Sequence, residues 1–122
     1  MQTLTKAEEE IMQVVWALGA CTVGGIRDAF EQETGKKPPH STISTMIGIL
    51  DKKGFVGHRA YGRTFEYFPL VTKEEYSSSS LRRLVQDYFG GEANRLVSFL
   101  VQDNKLSLEE LSELVEKLEE EE

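Results

Sequence analysis

Cysteine, proline and long apolar runs are scarce in this sequence, and each scarcity excludes a class of protein. The one cysteine, Cys21, cannot form an internal disulfide or supply a clustered-thiolate metal site. No apolar run approaches the roughly 20 residues of a membrane-spanning helix. The most apolar early stretch, residues 11–18, follows three glutamates, where a secretory signal would carry positive charge. We therefore expect a cytoplasmic protein with no membrane insertion, no metal and no cofactor.

Positive charge is also scarce in total, but its distribution along the chain is uneven. The sequence has 14 Lys and Arg against 21 Asp and Glu, a formal net charge of −7. Residues 1–72 hold eight of each sign, so the acidic excess lies wholly in residues 73–122. Residues 36–63 carry six basic side chains against one acid, Asp51, a net of +5. Because salt screens charges beyond about 8–10 Å, this local patch keeps nucleic acid open as a partner.

Hydrophobic periodicity predicts two helices in the first 35 residues. Thr5 and Glu8 have the spacing of a capping box before the first helix, and Gly19 is predicted to end it. A second helix is predicted to open at Thr22 or Val23. The two consecutive prolines that follow this helix make a connector that cannot be helical.

A third helix is predicted to start with Ser41 or Thr42 as its cap and to run to Lys53. Its apolar residues recur at the spacing of one buried face: Ile43, Met46, Ile47 and Leu50. The opposite face carries short, uncharged residues: Ser41, Ser44, Thr45 and Gly48.

The residue pattern changes after this helix. Two aromatic-rich runs, residues 55–61 and 64–68, are joined around Gly62 and Arg63, which predicts a β-hairpin with a basic tip. Three helices followed by a two-stranded wing are the order of a winged helix-turn-helix. We therefore predict a mainly α fold with a small β-wing, in which residues 1–72 form the DNA-binding domain.

Residues 73–122 are predicted to be a helical dimerisation domain, because their short amphipathic helices have little of their own chain to cover them. The predicted dimerisation residues are apolar positions along these helices: Leu81, Leu84, Tyr88, Leu96, Leu100, Leu111 and Leu118. A chain of this length buries only a modest fraction of its surface, so a homodimer would add stability.

The third helix suits the recognition role of a helix-turn-helix, because its short hydroxyl side chains allow close approach to the major groove. Basic side chains before it, after it and on the wing would neutralise phosphates. The predicted DNA-binding residues are Ser41, Thr42, Ser44, Thr45, Lys36, Lys37, Lys52, Lys53, Arg59 and Arg63.

Two other kinds of function compare with DNA binding, an interaction module and an enzyme. An interaction module with a winged helix and an acidic helical tail could share this pattern without touching DNA. An enzyme would need a nucleophile or metal with oriented partners, and neither His40, His58 nor Cys21 has such a setting. We therefore expect no catalytic residue and no enzyme.

Short motifs along nearly the whole chain resemble the penicillinase-repressor family, which includes BlaI, MecI and CopY. They are residues 4–8, Ile11-Met12, Trp16, Thr42-Ile43 with Thr45, Leu50 with residues 52–54, residues 67–71, residues 89–91, Leu96-Val97 and residues 105–107. The resemblance implies a bacterial transcriptional repressor that binds a palindromic operator as a homodimer. In β-lactam-responsive members it implies an antibiotic response, in which a membrane metalloprotease sensor triggers cleavage in the dimerisation segment.

The sequence departs from the family at three kinds of position. The family's scissile Asn-Phe pair falls on Phe99-Leu100, so the asparagine is missing. The paired Cys-x-Cys motifs of copper-responsive members are also missing. Family members often carry a basic residue at the positions of Ser44 and Ile49, which predicts a different operator or binding that depends more on the wing.

Overall fold

The computed structural model describes residues 1–103 and residues 107, 109, 110, 112, 113 and 116. Within residues 1–103, five helices and two strands follow one another as α1 (Lys6–Leu18), α2 (Val23–Thr34), α3 (His40–Lys52), β1 (Val56–Tyr61), β2 (Thr64–Pro69), α4 (Lys73–Tyr88) and α5 (Ala93–Gln102). Three helices followed by a hairpin form a winged helix-turn-helix, so the predicted fold class is confirmed.

Helix α1 begins where the sequence predicts. The Glu8 amide donates to the Thr5 hydroxyl at 3.2 Å, and the Thr5 amide donates to the Glu8 carboxylate at 2.9 Å. These reciprocal bonds satisfy two amides that would otherwise have no partner in the first turn. Gly19 follows the last turn with a φ of 81°, as expected for the residue that ends the helix.

Helix α3 begins earlier than the sequence indicated. Ser41 and Thr42 were predicted as caps, but the helix starts at His40, Pro39 is the N-cap and no side chain caps it. The prediction of the cap was wrong because the Pro39 ring fixes φ, at −58°, close to the helical value. The helix therefore begins directly after Pro39, and the hydroxyls of Ser41 and Thr42 lie inside its first turn.

The wing is a two-stranded antiparallel sheet of β1 and β2, and its register determines which residues of the two strands lie opposite each other. Tyr61 pairs with Thr64 at the tip, and Arg59 pairs with Glu66 further down. Gly62 adopts a φ of 62°, which the tight connection between the strands requires. Cys21 adds an isolated bridge to Tyr67, with backbone N–H···O bonds of 2.7 and 2.8 Å.

The core of the winged helix lies between α1, α2, α3 and the base of the wing. The largest fully buried side chains are Phe55, Ile11, Met12, Ile26, Ile47, Leu50, Val15 and Val56. Burial of this apolar surface is the main source of stability. It orients α3 with one side inward, which leaves its other side for the solvent.

The chain forms two compact units, a first or winged-helix unit (Met1–Ser77) and a second unit that begins at Ser78. The first turn of α4 therefore belongs to the winged-helix unit. Tyr76 holds this turn, because its hydroxyl donates to the Glu9 carboxylate at 3.0 Å and accepts from the Leu4 amide at 3.2 Å. The predicted boundary after residue 72 stays a prediction.

The second unit contains the rest of α4 and all of α5. Residues 77–80, four consecutive serines, lie within α4. None of the helices in the described ranges is long and apolar enough to cross a membrane. Ser107 accepts a hydrogen bond from the Glu110 amide at 3.1 Å, the geometry expected of a helix cap.

Candidate nucleic-acid interface

Helix α3 has one buried side and one side exposed to solvent. Ile43, Ile47 and Leu50 are at most 3% exposed and anchor the helix in the core. The four predicted contact residues on the other side are all exposed: Ser41, Thr42, Ser44 and Thr45. Ile49 is also 38% exposed, so this surface carries one large apolar side chain among the hydroxyls.

The hydroxyls of α3 are available for an external partner. Within the described part of the chain, none of the four hydroxyls makes a hydrogen bond. A serine or threonine hydroxyl can both donate and accept, so each can meet base edges or phosphate oxygens. The exposed side of α3 is therefore polar, short-chained and free to approach a groove.

Three of the predicted cations lie exposed and without an ion pair among the described residues: Lys36, Lys52 and Arg63. Lys37 is also partly exposed, but its ammonium lies 2.8 Å from the Asp28 carboxylate. Lys37 also lowers the pKa of Asp28 through this hydrogen bond. The Lys37 charge would thus have to be shared between Asp28 and a phosphate.

Lys53 has a different environment from its neighbour Lys52. Its ammonium lies 2.6 Å from the Glu8 carboxylate, which is itself buried, and 3.4 Å from the Thr3 carbonyl oxygen. The hydrogen bond from Lys53, followed by the bond from the Thr5 backbone, holds the pKa of Glu8 below its ordinary value of 4.5. Lys53 therefore joins the end of α3 to the start of α1. Its place in the sequence, directly after Lys52, does not indicate this structural role.

Arg59 is held along the wing rather than at its tip. Its guanidinium donates to the Glu66 carboxylate at 2.7 Å and stacks over the Phe68 ring at 5.5 Å. The strand register causes the ion pair, because Arg59 and Glu66 are directly opposite each other. Arg63 at the tip has no such partner among the described residues, so the wing presents one unpaired guanidinium there and one that is paired with Glu66.

His58, a residue with no predicted role in the fold, connects the wing to α3. The His58 Nδ1 atom on β1 is bonded to the Asp51 carboxylate near the end of α3. The His58 ring also lies edge-on to Phe65, with 5.1 Å between ring centroids. The contact fixes β1 beside α3, and the seven-residue separation of the partners gives no sign of it in the sequence.

Cys21 lies in the interior, away from the exposed surface of α3. Burial, followed by the charge of Glu66, raises the pKa of this thiol to about 11, so it is protonated at neutral pH. No group of three or more His, Cys, Asp or Glu within the described residues could hold a metal ion.

The second unit exposes large apolar side chains on both of its helices. Leu81, Leu84 and Tyr88 on α4 are 51%, 40% and 77% exposed. On α5, Leu96 and Leu100 are half-buried, and Phe99 is exposed although its ring packs on Phe89 at 5.9 Å. The remaining two predicted dimerisation residues, Leu111 and Leu118, lie outside the described residues.

The sequence model of one family, described as penicillinase repressor, matches residues 4–120 of this chain. The chain belongs to the penicillinase repressor family. The match covers both units, so the resemblance seen in the short motifs is confirmed. The family is one of DNA-binding transcriptional repressors rather than enzymes.

Relatives from this family are similar over most of their length. The penicillinase repressor of Bacillus licheniformis is 29% identical over 117 residues, which cover 96% of this chain and 90% of that protein. The methicillin resistance regulatory protein MecI of Mammaliicoccus sciuri is 27% identical over 111 residues, which cover 91% and 89%.

Solved structures of repressors share the fold of the first unit. The DNA-binding domain of the repressor BlaI is 28% identical, with a TM-score of 0.51, and the match covers 62% of this chain and 94% of that domain. Monomeric Bacillus licheniformis BlaI in complex with the blaP half-operator is 29% identical, with a TM-score of 0.50 and coverages of 62% and 89%. A structure of hsRosR-S4, 21% identical with a TM-score of 0.56, covers 85% of this chain and 91% of its own and shows the fold alone.

Proposed function

We propose that this member of the penicillinase repressor family is a transcriptional repressor that binds a palindromic DNA operator as a homodimer in the cytoplasm. The observation that carries the proposal is the exposed side of α3, where four hydroxyls make no hydrogen bond within the described ranges and lie on a helix fixed by its buried side. The BlaI relative whose solved complex contains a half-operator supports double-stranded DNA as the partner.

The proposed contacts divide into base reading and phosphate binding. Ser41, Thr42, Ser44 and Thr45 approach base edges, where a threonine methyl group can also touch the methyl group of thymine. Lys36, Lys52 and Arg63 neutralise phosphates. Lys37 and Arg59 bind phosphate only to the extent that their ion pairs with Asp28 and Glu66 break. Lys53 is left out of this set because Glu8 already holds its charge.

Dimerisation would supply the second half-site. Two copies of α3 about one turn of DNA apart, roughly 34 Å, would read a palindrome with the symmetry of the dimer. The exposed leucines and tyrosine on α4 and the apolar residues of α5 support self-association of the second unit, since such a surface is costly in water.

Gel-shift binding tests the proposal on a duplex that the full chain selects from random sequences. We expect Thr45→Ala and Arg63→Ala each to weaken binding by about fivefold or more, because each removes a contact worth roughly 1 kcal/mol or more. Matched controls are Ser77→Ala and Lys6→Ala, which make similar changes at exposed positions outside the interface. Unchanged affinity for both interface variants would contradict the assignment.

Repression would be relieved when a membrane metalloprotease sensor triggers cleavage of the chain in the dimerisation segment. A cut between Phe99 and Leu100 would divide α5 and remove part of the apolar surface proposed for the dimer. Mass spectrometry of the protein from β-lactam-treated cells tests this cut. We expect a fragment that ends at Phe99, and an intact chain in derepressed cells would exclude proteolysis here.

A further inference from the structure

A groove between α1 and α2 on the winged-helix unit lies apart from every residue proposed to contact DNA. It has a volume of about 560 Å³. Its apolar lining comes from both helices: Val14, Ala17, Leu18, Ala29 and Phe30. Leu18 is 47% exposed, so a large aliphatic side chain of this groove faces water.

A second hollow of about 220 Å³ shares Glu10 and Phe30 with the groove and continues it towards Ala7 and Met46. The lining residues on α1 therefore run from Ala7 to Leu18, a length of about 17 Å at 1.5 Å per residue. Such a length corresponds to three turns of a second helix laid alongside. A compact small molecule would fill only part of it.

Small side chains on both helices create the space. Ala17 on α1 and Ala29 on α2 both line the groove, and neither reaches across it. Apolar grooves of this kind, bordered by two helices, accept the apolar side of an amphipathic helix in many protein complexes.

The charge around the groove restricts what can occupy it. Glu10 and Glu33 are the charged residues that line it among the described residues, and both are exposed. In the same described part of the chain, no Lys, Arg or His lines either hollow. The acidic end of this chain is a poor occupant, because residues 107–122 hold eight glutamates and one lysine. A second copy of the chain is disfavoured as well, because most of the exposed apolar residues that its helices could offer lie on α4 and α5, the surface already proposed for the dimer.

We propose that this groove is a docking site for a short amphipathic helix of a partner protein, with two or three apolar anchors flanked by Lys or Arg. The anchors would occupy the two hollows, and the basic flanks would pair with Glu10 and Glu33. Among the described residues, the second hollow reaches Ile43 and Met46 on the inward side of α3, but neither hollow is lined by a residue proposed to contact DNA. Such a partner would therefore leave those DNA contacts free.

Binding of two synthetic 14-residue peptides to the full chain tests this proposal by fluorescence anisotropy. One peptide is an amphipathic helix with a leucine face and lysine flanks, and its twin has glutamate in place of every lysine. We expect the lysine peptide to bind and the glutamate twin to fail. Glu33→Lys should weaken binding by about fivefold, since it replaces an attraction by a repulsion. Glu31→Lys, the same change at an exposed residue that does not line the groove, should change it by less than about twofold.

Nuclear magnetic resonance of the labelled full chain locates the peptide. We expect shifts at Val14, Leu18 and Phe30, with the signal of Arg63 at the tip of the wing unchanged. Equal weakening by Glu31→Lys and Glu33→Lys would show only general attraction to an acidic chain and would overturn the proposal. Absence of binding, or shifts confined to residues after Ser77, would overturn it as well.

Two further measurements identify the other occupants. A peptide of residues 107–122 that bound in the same place would make the chain's own tail the occupant. Loss of self-association in Leu18→Gln would make the groove an interface between copies. Either result would overturn a partner-protein site while leaving the proposed binding of DNA intact.

Discussion

Two adjacent lysines at the end of α3 have opposite surroundings. Lys52 is exposed and unpaired within the described residues, whereas Lys53 is paired with the buried carboxylate of Glu8. Adjacent residues on a helix point about 100° apart, so one can face a ligand while the next faces the protein. The first of them serves the proposed function, and the second serves the fold.

We predict that Lys52→Ala and Lys53→Ala separate these two roles. Lys53→Ala should lower the free energy of unfolding by about 1–3 kcal/mol, because the Glu8 carboxylate loses its charged partner. Lys52→Ala should leave stability within about 0.5 kcal/mol and reduce the log–log salt slope of DNA binding by about 0.9 per protomer. Urea unfolding and salt titrations measure both. Equal loss of stability in the two variants would refute the separation.

The lowered pKa of Glu8 predicts a defined acid response. A carboxyl group with a lower pKa in the folded state stabilises the fold above its unfolded value, near 4.5, and loses that effect as pH falls through the folded value. Glu8→Gln should therefore unfold with a shallower dependence on pH below about 4.5 than the parent chain. Thermal unfolding between about pH 3 and pH 6 checks this, and identical slopes would contradict it.

The sequence supported some predictions at this scale and not others. The bonds of Thr5 and Glu8 were predictable because their partners are three residues apart. The Lys53–Glu8 and His58–Asp51 pairs depend on how helices and strand pack, and residue spacing carries no information about that.

At the scale of elements, two glycines show how packing decides the effect of one methyl group. A Cβ atom at Gly57 on β1 would lie 2.8 Å from Phe68 Cε2, whereas one at Gly48 on α3 would meet nothing within 4 Å. Phe68 is half-buried beneath the Arg59 guanidinium and cannot easily move aside. Identical substitutions at the two sites should therefore have opposite signs.

We predict that Gly57→Ala destabilises the protein by about 1–3 kcal/mol through overpacking at the base of the wing. Gly48→Ala should stabilise it by about 0.5–1 kcal/mol, because alanine loses less backbone entropy in a helix. Chemical denaturation of both variants measures the difference. A Gly57→Ala protein at least as stable as the parent chain would show that the wing tolerates the methyl group and would contradict the prediction.

Helices and hairpin were predictable as elements because their signals are local: apolar periodicity, caps and a glycine at the turn. The start of α3 was missed because a proline at the N-cap replaced the expected hydroxyl. The Cys21–Tyr67 bridge was missed because two residues in a loop and a strand give no periodic pattern.

At the scale of the whole molecule, the predicted dimer depends on exposed apolar residues of the second unit. We predict that the full chain sediments as a dimer at micromolar concentration and that Leu81→Glu shifts it to monomer. Gln86→Glu, the same addition of charge at an exposed polar position on α4, should leave the dimer intact. A monomeric parent chain would remove the dimer from the account.

Charge and periodicity predict a change of region after residue 72, and that boundary stays a prediction. The first turn of α4 is joined to the first unit through Tyr76. A long-range bond from one tyrosine to Glu9 has no signature in local composition.

Nuclear magnetic resonance of the labelled full chain with its selected DNA duplex tests the central claim most directly. The account predicts that adding DNA shifts the amide signals of Ser41, Ser44, Thr45 and Arg63, while those of Val14 and Leu18 in the groove stay in place. A complex that forms with the α3 signals unchanged would contradict it.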